Sequence, residues 1–155
     1  MKTALGDVIR ILMLIITCKI FYTTFSTWFL AQALKIIINF GRSGKVDFRL
    51  LVGTGGMPSS HTATVTALTA CIGLTSGWTS PVFMVSLGYC IVVCSDAMGV
   101  RRAAGRQARV LNMMMDEIGH NKFQAEKRLK ELLGHTPLEA AAGILLGILM
   151  PIIFY

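Results

Sequence analysis

The stretch GGMPSSHTATVTALTACIGLTS at residues 55–76 decides the fold, because a turn-forming loop changes there into an apolar run. Glycine, proline and serine precede His61, and mostly small apolar residues and threonines follow it. Serine beside a helix start can accept backbone N–H bonds, so the pattern predicts a helix over about residues 60–76. A second histidine, His135, opens another apolar run in the same way.

The composition predicts an integral membrane protein with one domain over residues 1–155. Hydrophobic residues make up 54% of the chain and charged residues only 15%, against roughly 25% charged residues in soluble domains. The mean hydropathy of +0.63 agrees. The net charge is +7, but the basic residues lie between apolar runs. Membrane lipids and an anionic substrate are therefore the expected partners, and nucleic acid is not.

Four apolar stretches predict membrane spans over about residues 15–40, 60–76, 81–98 and 137–155. Apolar residues already begin near Val8, so residues 8–40 form either one long helix or an interfacial helix that leads into a span. Residues 99–136 are polar and carry a helical stripe that can lie on an anionic membrane surface. The prediction is an all-α, integral-membrane helical bundle of about four spans, with an amphipathic helical loop between the third and fourth.

Two basic loops, over residues 41–57 and 99–136, fall on the same side of such a bundle. The second loop contains eight Lys and Arg residues and four Asp and Glu residues. The positive-inside tendency predicts that this side faces the cytosol, or its equivalent in an organelle. The candidate phosphate-handling residues then converge on one membrane face.

His61 follows Ser59 and Ser60 at a predicted helix start, which allows a structural and a functional interpretation. In the first, a serine caps the helix. In the second, the free N–H groups and dipole of the helix N-terminus bind an anion, and His61 donates a proton to a leaving oxygen.

His135 and Glu139 allow the same two interpretations. Thr136 and Glu139 form the pattern of a capping box, with Pro137 at the first helical position. Alternatively, Glu139 accepts a hydrogen bond from the imidazole of His135, which fixes its tautomer and makes its other nitrogen a better nucleophile.

Further charged residues lie near these motifs in the sequence. Lys35 can be a lysine that extends to the membrane edge, and Arg42, Arg101 and Arg102 can be anchors at the same face. The same four cations can also bind a phosphate. Asp96, near the end of an apolar run, needs a partner, and we expect an ion pair with a nearby arginine or lysine. His120 is expected in a solvated loop.

The cysteines and histidines do not suggest a metal site or a cofactor. All four cysteines lie in apolar stretches, and neither His61 nor His135 has a Cys, Asp or Glu at a usual ligand spacing. Small residues four apart, Gly143 with Gly147 and Ala63 with Ala67, predict close helix contacts in lipid.

Taken together, these motifs resemble the type 2 phosphatidic acid phosphatase superfamily, which also includes vanadium-dependent haloperoxidases. The motifs are Lys35, six residues and Arg42, then Pro58-Ser59-Ser60-His61, and finally Arg101 followed by His135 and Glu139. A divergent branch is the nearer resemblance, through Gly-Gly-Met-Pro-Ser-Ser-His, Asp-Ala-x-Gly-Val-Arg and Glu-Leu-Leu-Gly-His-Thr-Pro. The resemblance covers about residues 30–150. Ser60 stands where most members of the superfamily have glycine, and Glu139 where they have aspartate.

The resemblance implies a mechanism. Lys35, Arg42 and Arg101 would neutralise the phosphate oxygens, aided by Ser59 and the N–H of Ser60. His135 would attack phosphorus to give a phosphohistidine, and Glu139 would orient it. His61 would protonate the leaving alcohol and then activate water.

Three functions are compatible with these residues, in decreasing order of support. The first is an integral-membrane phosphatase acting on a lipid or isoprenoid phosphate monoester or diphosphate. The second is a non-catalytic relative that binds anionic lipid or supports a membrane assembly, with the histidines belonging to helix caps. Soluble haloperoxidase chemistry comes third, because the chain is short and apolar. A homo-oligomer, in which a second copy completes the substrate pocket, is compatible with the first two.

Overall fold

The described part of the protein contains helices joined by turns and no strands, which confirms the predicted fold class. A computed structural model describes residues 4–45, 56–117 and 135–155, with all their side chains except those of residues 4, 5, 100–102 and 115–117. These residues form six helices: α1 (Ala4–Thr17), α2 (Lys19–Ser43), α3 (Ser60–Ser76), α4 (Pro81–Met98), α5 (Val100–Glu117) and α6 (Pro137–Phe154). The predicted amphipathic pattern of residues 125–133 and His120 lie outside the described residues.

The N-terminal apolar run forms two helices rather than one. Cys18 has an extended backbone conformation between α1 and α2, and the two helices are bent by 64° at this break. The alternative of one long helix over residues 8–40 is therefore wrong. No glycine or proline marks the break in the sequence, so hydropathy alone does not reveal it.

Several helices are long and apolar enough to cross a bilayer. Residues Pro81–Met114 and Pro137–Phe154 meet this condition by themselves, and the bent pair α1–α2 adds a third span if it is counted as one. The helix α3 has 17 residues and is ~25 Å long, slightly shorter than the hydrocarbon core of a typical bilayer. It is largely buried among its neighbours, so it depends on them for its place in a bundle of about four spans.

The helix α3 is the centre of the bundle, and α2, α4 and α6 pack around it. It runs parallel to α6, since Thr62 reaches Ala140 near the start of both helices and Ala67 meets Gly147 further along both. It runs antiparallel to α4, because Thr66 contacts Cys90 whereas Thr69, further along α3, contacts the earlier residue Ser86. The starts of α3 and α6 therefore lie at one end of the bundle, together with the ends of α2 and α4.

Glycines bring the backbones of α3 and α6 into direct contact. A methyl group placed on Gly147 would lie 2.6 Å from the carbonyl oxygen of Ala63 and 3.0 Å from the amide nitrogen of Ala67. A methyl group on Gly143 would overlap the hydroxyl of Thr62. The two small-residue pairs predicted from the sequence thus meet in one interface, as expected where packing rather than water drives helix association.

Hydrogen bonds between polar side chains fix α4 against α3. The hydroxyls of Thr69 and Ser86 are 2.9 Å apart, and the hydroxyl of Thr66 is 3.7 Å from the sulfur of Cys90. All four residues lie wholly or partly inside the bundle. These bonds fix the rotation of α4 about its own axis. The last turn of α4 reaches the candidate site described below, so this rotation affects the geometry of the site.

We expect Gly147→Ala to lower the melting temperature of the detergent-purified protein, because the added methyl has no space against α3. Overpacking of this kind costs about 1–3 kcal/mol. The matched control is Gly88→Ala in α4, where an added methyl meets nothing within 4 Å and should leave stability unchanged or slightly increased. Equal melting temperatures for the two variants would contradict the proposed contact.

Candidate functional site

Two histidines from different helices lie close together at one end of the bundle. The ring centroids of His61 and His135 are 6.2 Å apart. His61 lies at the first turn of α3, and His135, which is only 3% exposed, lies just before α6. Reacting atoms in a near-attack geometry are about 3–3.5 Å apart, so one small group can contact both rings.

The carboxylate of Glu139 holds the imidazole of His135. Its Oε2 lies 3.2 Å from Nδ1 of His135 and also accepts a bond of 3.0 Å from the amide of Thr136. An ionised carboxylate can only accept, so Nδ1 of His135 is the donor, and in the neutral imidazole Nε2 then carries the lone pair. The capping box and the contact with His135 are therefore both present, and Oε2 of Glu139 takes part in each of them.

The first turn of α3 carries Ser59 and Ser60, both buried. The amide of Ser59 donates to the carbonyl of Glu139 at 3.0 Å, while its hydroxyl accepts from the amide of Thr62 at 3.4 Å. Ser59 is thus the N-cap of α3, as the structural interpretation predicted. The amide of Ser60 comes before the first backbone bond of the helix, so no carbonyl of α3 is available to it.

Lys35 reaches the site from α2. It is 3% exposed, so its side chain does not extend to the membrane edge, and its ammonium interacts favourably with the carboxylate of Glu139. Gly56 passes over the aliphatic part of this side chain. Its φ is +87°, and a methyl placed on it would lie 2.9 Å from Cγ of Lys35. Glycine at position 56 therefore leaves space for the buried lysine.

The other predicted charged residues lie in the last turns of α2 and α4 and in the first turn of α5. Arg42 lies in the last turn of α2, about 10 Å beyond Lys35 along nearly the same face, and it is exposed. Arg101 and Arg102 lie in the first turn of α5, but their side chains lie outside the described part of the chain. Asp96 is half-buried in the last turn of α4, and its ion pair with an arginine or lysine stays a prediction.

The end of α4 is tied to the site through the backbone. The amide of His135 donates to the carbonyl of Ala97 at 2.9 Å. This bond places His135 against the last turn of α4, which leads after Gly99 into α5. The N-terminus of α5 is thereby kept near His135, while the approach of the Arg101 side chain stays a prediction.

Thr62 and Ala97 contribute to the site although the sequence does not reveal them. Thr62 looks like one of many helix threonines, and Ala97 contributes only a carbonyl group. No sequence pattern distinguishes either residue. Gly143 is recognisable in the sequence as part of a small-residue pair. Its contact with Thr62 is not, because that contact depends on the packing of α3 against α6.

Comparison with known proteins places the chain in a family. The sequence profile of the Divergent PAP2 family matches residues 16–150, most of the chain. The chain belongs to the Divergent PAP2 family. The family is a divergent branch of the type 2 phosphatidic acid phosphatase superfamily, so the resemblance drawn from the motifs is confirmed.

A curated relative of the chain has no assigned activity. The chain is 43% identical over 136 residues to the uncharacterized membrane protein YuiD of Bacillus subtilis (strain 168), which covers 79% of this chain and 85% of that protein. No solved structure matches the chain. The comparisons therefore support an integral membrane protein related to the superfamily.

We expect Glu139→Ala to destabilise the protein and Glu139→Gln to be tolerated. Alanine leaves the buried Nδ1 of His135 without its acceptor, which costs about 1–3 kcal/mol. Glutamine keeps an oxygen that can accept from both His135 and Thr136, as capping boxes allow. Thermal unfolding in detergent measures both effects. Leu138→Ala, in the same turn but 69% exposed, is the control. Wild-type stability of Glu139→Ala would mean that the carboxylate does not hold the histidine.

Proposed function

We propose that this protein is an integral-membrane phosphatase that hydrolyses a lipid or isoprenoid phosphate monoester or diphosphate through a phosphohistidine on His135. The observation that carries the proposal is the histidine pair, 6.2 Å apart between ring centroids, with Glu139 bound to His135. Neither imidazole is needed for helix capping, because Ser59 and Thr136 accept those bonds. The arrangement fits a nucleophile with an orienting carboxylate, opposite a second group that transfers protons.

The surroundings of the histidine pair favour a dianionic phosphate. The helices α3 and α6 both begin there, and each N-terminus carries roughly half a positive charge. The ammonium of Lys35 adds a full charge in a buried position. In our proposal Arg42, Arg101 and Arg102 complete the charge neutralisation, and Ser59 and the amide of Ser60 bind phosphate oxygens.

In the first step, Nε2 of His135 attacks phosphorus and the bond to the substrate oxygen breaks. The leaving alkoxide, or the leaving phosphate of a diphosphate, takes a proton from the imidazolium of His61. Glu139 stabilises the positive charge that forms on His135 during the attack. The place of His61 at the end of the bundle lets the leaving group depart toward the surface.

In the second step, neutral His61 takes a proton from a water molecule, and the resulting hydroxide attacks the phosphohistidine. The bond between Nε2 and phosphorus breaks, inorganic phosphate is released, and both histidines return to their initial protonation states. The same side chain thus acts as acid and then as base, as in other two-step displacements.

The position of the site supports an amphiphilic substrate. The outer faces of the bundle carry large exposed apolar residues, such as Val85 at 74% and Ile153 at 73%. A lipid can therefore remain beside the helices while its phosphate reaches the histidines at the end of the bundle. We assign this end to the cytosolic face, or its equivalent, because of its basic loops.

A non-catalytic lipid-binding relative is the alternative. The observation that favours it is that Ser59, Thr136 and Glu139 all take part in helix caps, which would be needed in an inactive protein as well. Such a protein would bind anionic lipid without releasing phosphate.

We expect detergent-purified protein to release phosphate from at least one lipid phosphate in a panel of phosphatidic acid and isoprenoid mono- and diphosphates. His135→Ala should reduce the release to background, because the nucleophile is lost. His61→Ala should lower kcat by roughly 10²–10⁴-fold, which is typical for a general acid–base residue. His120→Ala, the remaining histidine of the chain, is the control and should retain full activity.

Two results would decide against this proposal. Undiminished phosphate release in His135→Ala would exclude His135 as the nucleophile. Absence of release from every substrate, with retained binding to anionic vesicles, would instead support the non-catalytic alternative.

The assigned orientation gives a separate prediction. We expect Lys45→Cys, placed in a Cys18→Ser background, to react with a membrane-impermeant thiol reagent only after bacterial cells are permeabilised. Lys45 is exposed two residues beyond α2, at the end that carries the histidines. Cys18, the exposed native thiol, is removed so that it does not contribute. Labelling of intact cells would place the site on the outer face.

A further inference from the structure

Thr62 connects the two helices that carry the histidines. It is completely buried and follows His61 directly in the first turn of α3. Its hydroxyl lies 3.2 Å from the carbonyl oxygen of Ser59 and also 3.2 Å from the carbonyl oxygen of Ala140 in α6. One hydroxyl proton is thus shared between an acceptor at the start of α3 and an acceptor at the start of α6.

This bonding pattern differs from that of the other threonines in the described helices. Thr27, Thr64 and Thr75 donate to the carbonyl four residues earlier in their own helix, which is ordinary behaviour for a helical threonine. Thr69 adds a bond to α4, away from the histidines. Among the threonines of α3, Thr62 is the one whose hydroxyl bonds to α6.

The surroundings of Thr62 leave its hydroxyl little freedom. A methyl on Gly143 would overlap this oxygen and lie 2.5 Å from the carbonyl oxygen of Ser59, so α6 has space there only for a hydrogen atom. The amide of Ser59 donates to the carbonyl of Glu139 beside it. Three contacts within one turn thus join the segment before His61 to the segment after His135.

We propose that Thr62 is a positioning residue that sets the distance between His61 and His135 without contacting the substrate. The inference deepens the proposed function and rests on it where it concerns catalysis. Thr62 is next to His61, and its acceptor Ala140 is next to Glu139, which holds His135. Loss of the shared hydrogen bond lets the starts of α3 and α6 move apart. A displacement of 1 Å can reduce the rate on the order of 100-fold.

The first test is kinetic. Thr62→Val has nearly the same shape without the hydroxyl, and it should lower kcat about 10- to 100-fold with an unchanged KM. Thr62→Ser restores the donor and should recover most of the rate. Thr64→Val, the same substitution at a threonine that bonds only within α3, should behave like wild type. If Thr62→Val does not fold, Thr62→Cys takes its place, and its weaker donor should give a rate clearly below that of Thr62→Ser.

The second test does not require activity. In a protein whose four native cysteines are replaced by alanine, His61→Cys and His135→Cys are introduced together and joined with a short bifunctional thiol reagent. We expect crosslinking to be several-fold slower when Thr62 is changed to valine, and to recover with serine. Thr64→Val should leave the crosslinking rate unchanged.

The two tests separate this inference from the proposed function. If the wild type releases no phosphate but crosslinking still depends on the hydroxyl of Thr62, the phosphatase proposal fails and the positioning of the pair stands. If Thr62→Val keeps both the wild-type kcat and the wild-type crosslinking rate, the positioning role is overturned, whatever the activity of the protein.

Discussion

Gly143 and Gly147 allow the backbones of α3 and α6 to touch, and the geometry of the candidate site depends on this contact. Inside a bilayer, lipid tails are as apolar as leucine side chains, so helices associate through close packing and polar contacts. The glycines place Thr62, Ala63 and Ala67 directly against α6. A larger residue at either glycine would separate the starts of the two helices, and with them His61 and His135.

The parallel direction of α3 and α6 has a chemical consequence. Adjacent helices in a chain joined by short loops are usually antiparallel, which would place one N-terminus beside one C-terminus. Here α4 and α5 intervene, and both N-termini meet at one end of the bundle. Their dipoles favour an anion at the same point, where Lys35 is also buried. The cost of burying that lysine is partly offset by Glu139, whose carboxylate favours the ammonium less than burial disfavours it, and in our proposal further by the phosphate itself.

Much of the fold could be predicted from the sequence, because helix starts have local signals. Ser59, Ser80 and Thr136 cap α3, α4 and α6, and prolines occupy the first position of the last two. The break at Cys18 had no such signal, since the apolar run continues through it. Lys35 shows a different limit of prediction from the sequence. Whether a lysine is buried or extends to the surface depends on its tertiary surroundings, here Gly56 and Glu139.

The candidate site was predictable as a set of residues but not as a geometry. The motifs contain His61, His135 and Glu139, and the separation of His61 from the other two in the chain says nothing about their separation in space. The contact between His135 and Glu139 follows from their spacing of one helical turn. The proximity of His61 does not, because it requires the pairing of α3 with α6. Small-residue pairs indicate that close contacts occur, without naming the partner helix.

The most direct measurement is a structure of the detergent-solubilised protein with bound orthovanadate, which imitates the five-coordinate phosphorus of the transition state. We predict that vanadium binds Nε2 of His135, with an oxygen atom within hydrogen-bond distance of His61 and with Lys35 beside it. Vanadate bound away from both histidines, or imidazole rings more than about 10 Å apart and thus beyond reach through one water molecule, would contradict the proposed site.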